Sequence, residues 1–591
     1  MTGSLERLTK VREELSRLGL SGFIVPRADE HLGEYVPASA ERLAWLTGFT
    51  GSAGVAVVLP DCAAAFTDGR YVLQLAAQID TNLWQCRHIV EEPPPGWLSA
   101  NAPTGGKIGY DPFLISEEGL IRYGDAGLCM VPIDRNPIDC VWTDRPSFPS
   151  APVEPYHLEH AGRSAEEKRE QIAGLLRASN QDAAVMSDPA SIAWLLNIRG
   201  GDVPYTPLGL SFAVMHAEGA TELFMDPEKL PAVTRDWLGN TVSVADREAL
   251  APALARLSGK RVRVDPAGTP AWFAQTLRRV GAVVVADSDP CLLPKARKNA
   301  IEQRGARNAH RRDAVAVCRF LHFLFDQTPR GVETEMTASA RLLALRAQVA
   351  DFHGESFPAI SGAGEHGAII HYRVTNASDR LISSNETYLI DSGAQYLDGT
   401  TDITRTVWSG PDKPPQALRE LVTRVMKGHI AIATLVFPYG TGGAQLDAFA
   451  RRALWQVGLD YDHGTGHGVG SYLSVHEGPV SISRLARPVP IEAGMILSNE
   501  PGYYLPGSYG IRMENLLLAQ SVELTPAGKQ FLRFETLTLA PFDRRLIDPT
   551  LLDEFELAWL NAYHARVSKE IGPHLDEGER DWLDAVCREI P

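Results

Sequence analysis

The sequence has no C-x-x-C pair, no run of about 18 apolar residues free of charge, and fewer basic than acidic side chains, 57 against 73. Each shortage removes a class of protein. The seven cysteines, Cys62, Cys86, Cys129, Cys140, Cys291, Cys318 and Cys587, are scattered. That excludes a zinc ribbon and a disulfide framework, and it points to a reducing, cytoplasmic setting. The formal net charge of −16 argues against nucleic acid, because affinity for a phosphate backbone rests on excess Lys and Arg. A peptide or other small substrate remains. Without a long apolar run no membrane span is expected. Leu5, Leu8, Val11, Leu15 and Leu18 recur at helical spacing among charged residues, with Gly19 behind them. The N-terminus therefore reads as an amphipathic surface helix, and it lacks the apolar core of a secretory signal.

A chain of 591 residues exceeds what one core organises. Three domains are expected, at 1–155, 156–295 and 296–591. A strand-like Gly22 to Pro26 follows the first helix, and α/β alternation continues to Pro146, Pro149, Pro152 and Pro155, whose three-residue spacing favours an extended linker. Ser164 and Glu167 form an S-x-x-E capping box that opens a new helix, which leads into the strand-like Ala183 to Ser187. Leu43-Ala44-Trp45-Leu46 is echoed by Ile192-Ala193-Trp194-Leu195. Two related α/β domains in tandem explain the echo; so does chance, since so short a match has no period behind it. Pro290 and Pro294 mark the second boundary, and Arg297 to about Phe325 reads as a long helix opening the last domain.

The concentrated chemistry lies between Ile370 and Asn515. Tyr388 to Asp391 and Asp402 to Val407 flank the turn signal Asp398-Gly399, and a hairpin there sets Asp391 beside Asp402. Asp398 reads as a turn former. Asp391 ends an apolar run, where a carboxylate is costly without a cation or several donors. Taken alone, Asp391 and Asp402 read equally well as surface-turn aspartates. His463 and His467 stand at the spacing of a helical metal site, but Gly464, Gly466, Gly468 and Gly470 exclude a helix. Alternate glycines suit a backbone that a ligand or metal approaches closely. By itself His463 reads as a structural hydrogen-bonder. Glu500 precedes Pro501-Gly502 and falls at a strand tip. Arg512 and Glu514 share one face of a β-like run, so Arg512 holds Glu514, in a site or in a surface ion pair.

Asp391, Asp402, His467, Glu500 and Glu514 together are four carboxylates and one imidazole, too much negative charge to gather without cations. Two divalent ions resolve it, since carboxylates bridge metals about 3.5–4 Å apart and a shared water becomes nucleophilic at neutral pH. An oxygen-rich set favours manganese, with zinc and cobalt open.

The Asp, Asp, His, Glu, Glu order and its motifs resemble the pita-bread metallopeptidases, the family of methionine aminopeptidase, prolidase, aminopeptidase P and creatinase. The whole chain is similar to the long three-domain cytosolic aminopeptidase P type, through Tyr35-Val36-Pro37, Thr50 to Gly54, Thr67 to Tyr71, the metal motifs and Trp559 to His564. The resemblance implies an α/β and α+β fold, with two tandem creatinase-N-like α/β domains ahead of a pita-bread catalytic domain. It implies a metallo-aminopeptidase that removes the first residue from peptides with proline second. Asp391, Asp402 and Glu514 would hold one ion, and Asp402, His467, Glu500 and Glu514 the other. His371 and His476 would grip the scissile carbonyl, Glu500 would carry a proton, and Arg70, His463, Tyr504 and Arg512 complete the substrate side. A homodimer is implied too, with the apolar stripe from Phe555 to Tyr563 as its face or as a face packed on its own domain. Prolidase, confined to dipeptides, and a non-catalytic peptide-binding module on the same fold are the alternatives. All five ligand positions are filled, which counts against the second.

Overall fold

The computed structural model describes residues 2–522 and 528–591, and the chain forms two compact units, Met1–Leu292 and Leu293–Pro591. The first unit holds two six-stranded sheets of one topology. In spatial order the first runs Gln85–His88, Ala63–Thr67, Val55–Val58, Gly22–Pro26, Lys107–Tyr110, Cys129–Pro132. The second runs Val242–Ala245, Thr221–Phe224, Phe212–His216, Ala183–Met186, Arg261–Val264, Val283–Ala286. Within each, the second, third and fourth strands are antiparallel neighbours and the remaining pairings are parallel.

Parallel neighbours need a crossover, and helices supply it: Val72–Gln78 and Glu117–Asp125 in one sheet, Ala232–Leu238 and Ala271–Arg279 in the other. Covered on both faces, Val55–Val58 and Ala183–Met186 are buried at every position and carry no polar alternation. The capping box at Ser164 and Glu167 is made in both directions. The four-residue echo lies in the helices Arg42–Thr47 and Pro189–Leu196, each following the first strand of its sheet. It marks a structural repeat.

Early in the second unit Asn299 and Glu302 form a capping box that starts the helix Ala300–Gln327. That start lies just beyond the expected Arg297, because Asn299 is the N-cap, its side chain accepting from the Ile301 and Glu302 amides. After the helix Glu335–Arg346 comes a sheet of Ile360–Ala363, Thr387–Ser392 and Ile403–Trp408; a second sheet takes Val436–Pro438 from between the helices Gln416–Ala433 and Gly443–Trp455 and, from beyond them, Phe531–Thr536, Asn515–Val522 and Ile496–Asn499. Asp391 lies within a strand of the first of these sheets, Asp402 just before one, and Glu500 and Glu514 at strand ends of the second. The expected hairpin turn is displaced by one residue: Tyr396 pairs with Gly399, leaving Leu397 and Asp398 as the loop, and Asp398 is ion-paired to Arg312.

The helix Glu554–Ile571 buries Leu560, Tyr563, His564, Val567 and Ile571 in its own unit, and of the large side chains in the apolar stripe Phe555 stands well exposed. Its purpose there is visible at Arg405. This fully buried guanidinium donates to the carbonyls of Thr404, Glu514, Ala540 and Pro541, to Asn515 Oδ1 and to Tyr563 Oη, and it stacks on Phe542 at 4.1 Å. His564 Nε2 accepts from the Phe542 amide. Thus the Trp559 to His564 segment braces the two strands that bear Asp402 and Glu514. Arg405→Met strands several buried acceptors, each costing about 1–3 kcal/mol. A thermal midpoint lower by roughly 5–10 °C is expected for this unit, and an unchanged melting curve would contradict the brace.

Candidate active site

Antiparallel pairing sets the site. Asp391 faces Thr404 across the ladder of Thr387–Ser392 and Ile403–Trp408, and Asp402 ends the loop that enters the second strand. Asn499 ends Ile496–Asn499 opposite Asn515, so Glu500 and Glu514 leave adjacent strand ends together. Gly466–His467 lies against the same strand, because the His467 amide donates to Ser498 Oγ. A Cβ on Gly466 would stand 2.0 Å from the Ser498 carbonyl, and one on Gly468 would stand 2.1 Å from that of Glu477. The alternate glycines therefore admit the protein's own backbone, where a ligand or metal was expected.

Asp402, His467 and Glu514 each offer a ligand atom within 4.8 Å of the others. His467 Nε2 is 3.4 Å from Asp402 Oδ2 and 3.6 Å from Glu500 Oε1. His467 Nδ1 bonds the Gly468 carbonyl at 2.9 Å; a carbonyl only accepts, so Nδ1 carries its proton and Nε2 turns a lone pair toward two carboxylates. That arrangement needs a cation on Nε2. Asp391 Oδ1 and Asp402 Oδ1 are buried and have no hydrogen-bond partner. Orphaned carboxylate oxygens converging on an imidazole lone pair fit a divalent-metal centre.

The charges confirm the crowding. Burial, then the charges of Asp402 and Glu500, lift Asp391 to about 6 despite Arg512. Burial and the neighbouring carboxylates hold Glu514 well above the usual range. Glu500 is raised by burial and Asp402 against the pull of His467 and Arg512. His467, which burial alone would lower, is raised to about 9 by Asp402 and Glu500. Without metal, a proton does the neutralising.

Arg512 does not hold Glu514 directly, as its spacing suggested. The strand Tyr509–Arg512 ends at Arg512, and the guanidinium turns to Asp391 Oδ2 (2.7 Å), Tyr504 Oη (2.7 Å) and Thr404 Oγ1 (3.2 Å). Thr404 then donates to Glu514 Oε2 at 2.8 Å. A single hydroxyl links them. Tyr504 Oη in turn meets His463 Nε2 at 2.9 Å, while His463 Nδ1 bonds the Gly464 carbonyl. Asp391, Arg512, Tyr504 and His463 thus form one chain of contacts along the site wall. His476 packs edge-on against His467, ring centroids 4.3 Å apart. His371 follows the turn Gly364–Ala368, whose Gly367 carbonyl would lie 1.7 Å from a Cβ on Gly510. The turn just ahead of His371 is therefore pressed against the strand that ends in Arg512. Arg70 belongs to the first unit, where it forms a two-point ion pair with Asp68.

Three supporting residues escaped the sequence. Thr404 lies two past Asp402, and β alternation could have found it. His429, buried and lowered to about 3 by burial and by Arg405, accepts from Asn515 Nδ2 and bonds the Met513 carbonyl; its own carbonyl accepts from Asn499. It ties together the neighbours of Glu500 and Glu514. Glu335, fully buried, accepts from His366, Tyr372 and the Ala363 amide beside His371. Nothing in their local sequence marks the last two.

The model of the creatinase/prolidase N-terminal domain matches residues 7–121 and a second such model residues 144–302. Metallopeptidase family M24 matches 304–521, and the C-terminal region of peptidase M24 matches 530–590. Xaa-Pro aminopeptidase 2 of Sus scrofa is 36% identical over 98% of this chain and 88% of its own. The chain belongs to metallopeptidase family M24. A probable Xaa-Pro aminopeptidase P of Coccidioides posadasii is 38% identical to this M24 chain, covering 99% of each. The crystal structure of X-prolyl aminopeptidase from Caenorhabditis elegans, described as a cytosolic enzyme with a di-nuclear active site, matches it with a TM-score of 0.95, 34% identity and full coverage of both chains. A Xaa-Pro dipeptidase of Bacillus anthracis shares the fold over 64% of the M24 chain at 20% identity and a TM-score of 0.51. The expected architecture, tandem creatinase-type domains ahead of a pita-bread domain, holds. All seven cysteines are free, and among the described residues no helix is long and apolar enough to cross a membrane.

Proposed function

We propose that this chain is a Xaa-Pro aminopeptidase, built as three domains at 1–155, 156–295 and 296–591, that removes the first residue from peptides with proline second. The observation that carries it is the His467 lone pair facing Asp402 and Glu500, on a chain similar along its length to proteins named for that activity. Asp391, Asp402 and Glu514 would hold one divalent ion, and Asp402, His467, Glu500 and Glu514 the other. Bound there, the ions supply Lewis acidity and lower the pKa of a water, and the oxygen-rich donor set favours manganese over zinc or cobalt. The side chains do the rest. His476 and His371 donate to the scissile carbonyl oxygen as charge grows on it. Glu500 passes a proton to the departing proline nitrogen. His463, held through Tyr504 and Arg512, shapes the wall of the proline subsite, and Arg70 contacts the substrate.

Full-length similarity to aminopeptidases favours this reading over a prolidase, whose relatives here share only the fold. Cytoplasmic location and a homodimer complete the proposal; the C. elegans enzyme is described as cytosolic, and light scattering would report the dimer. Incubation with Xaa-Pro-Xaa, Xaa-Pro and Xaa-Ala-Xaa peptides tests the specificity. Release of the first residue from Xaa-Pro-Xaa, abolished by chelation and restored by Mn²⁺, is the expected result. Cleavage of Xaa-Pro dipeptides alone would replace it with the prolidase reading.

A further inference from the structure

A buried ion cluster outside the metal centre has no part in the chemistry above. Glu477 is 4% exposed. Its Oε1 lies 2.5 Å from Lys298 Nζ and its Oε2 3.4 Å from Lys295 Nζ, and the three side chains are 1%, 2% and 3% exposed. Buried ion pairs add little to stability over well-packed apolar groups, so their usefulness lies in fixing one geometry. What this one fixes is the peptide next to His476. The Glu477 amide donates to the Gly468 carbonyl at 2.8 Å, and the Gly468 amide donates to Val480. That same Gly468 carbonyl accepts from His467 Nδ1. The backbone on one side of the His476 Cα is therefore locked to the element that orients His467, and the Glu477 side chain beyond it is gripped by Lys295, in the short helix Leu292–Ala296, and Lys298, just ahead of the helix Ala300–Gln327. The His467 and His476 rings meet at 4.3 Å across this short span.

We infer that Glu477, clamped by Lys295 and Lys298, is a positioning residue that aims His476 at the scissile carbonyl. The inference rests on the functional reading of His476 given above. Loss of the clamp lets the 468–480 loop shift while the metal ligands, held by Ser498, Thr404 and Arg512, stay in place. Misplacing a transition-state donor by about 1 Å costs on the order of 10²-fold in rate.

The test is a double-mutant cycle on the manganese-loaded full chain, using a Xaa-Pro-Xaa peptide, with metal content and thermal midpoint measured for every variant. Glu477→Gln is expected to lower kcat by about 10–100-fold with KM changed by less than about threefold and metal content at the parent level. Glu477→Asp, which keeps the charge, is expected to recover part of the loss. In a His476→Ala background, Glu477→Gln should cost less than about twofold more, because its effect passes through that imidazole. Lys298→Met, which leaves Lys295 opposite the carboxylate, serves as the second variant should the amide fail to fold, and the same dependence on His476 is expected of it. Multiplicative losses on top of an impaired His476→Ala, or metal lost from the clamp variants, would overturn the inference alone. An unchanged kcat in His476→Ala would overturn the site reading beneath it, and the inference with it.

Discussion

Replacing Asp402 with alanine is expected to leave a folded protein that neither retains metal nor cleaves peptide, with turnover at least about a thousandfold down. Metal assistance contributes several kcal/mol of charge stabilisation, and each 1.36 kcal/mol is about tenfold in rate. Asp402 is the right residue to remove because its Oδ2 faces His467 Nε2 and its Oδ1 is buried without a partner. No neighbouring oxygen replaces both. A second readout separates loss of a ligand from loss of the fold. Asp402 raises Asp391 and Glu514 through like-charge repulsion, so the metal-free variant should melt no lower than the metal-free parent, and the thermal shift on adding Mn²⁺ should vanish. Parent-like turnover in Asp402→Ala would remove the site from the position assigned to it.

Stability should depend on pH in opposite senses with and without metal. Asp391, Glu500 and Glu514 have pKa values above their unfolded ones, Asp391 at about 6. Their contribution to stability is complete below the unfolded carboxylate range near 4 and is lost as pH rises through the folded values. His467, raised to about 9, adds stability that is complete below about 6.5 and lost toward pH 9. All four run one way: metal-free protein holds extra protons when folded and weakens as pH climbs from about 4 to 9. Asp391 alone contributes on the order of 3 kcal/mol to that decline. Metal binding needs the same groups deprotonated, so the stabilisation by Mn²⁺ grows over that window. Thermal midpoints of chelated and Mn²⁺-loaded protein, taken at each pH, give a difference from which groups elsewhere cancel. A difference that shrinks as pH rises would show that these carboxylates do not share the ion.

Much of the fold was legible along the chain. The capping box at Ser164, the paired Leu-Ala-Trp-Leu and Ile-Ala-Trp-Leu segments and the amphipathic first helix are local patterns, and each formed where its spacing placed it. Local signals also brought out Asp391, Asp402, His467, Glu500 and Glu514, because a carboxylate at the end of an apolar run or a histidine among glycines is conspicuous without any structure. What failed were inferences about partners. Arg512 was assigned to Glu514, two residues away, and is bound instead to Asp391, from a distant strand. The alternate glycines were assigned to an approaching ligand and serve the backbones of Ser498 and Glu477.

By itself, then, the sequence determined which residues are the candidates for the chemistry, the period of the local helix and strand patterns, and the repeat of one α/β pattern. Tertiary structure alone decided that Thr404 couples Arg512 to Glu514, that Arg405 and Tyr563 brace the ligand strands, and that Glu477 meets two lysines far behind it in the chain. The reason is physical. Helical and strand periodicities act between neighbours a few residues apart, whereas a buried charge is satisfied by whichever group the strand register brings within about 3 Å, and register is a property of the assembled sheet.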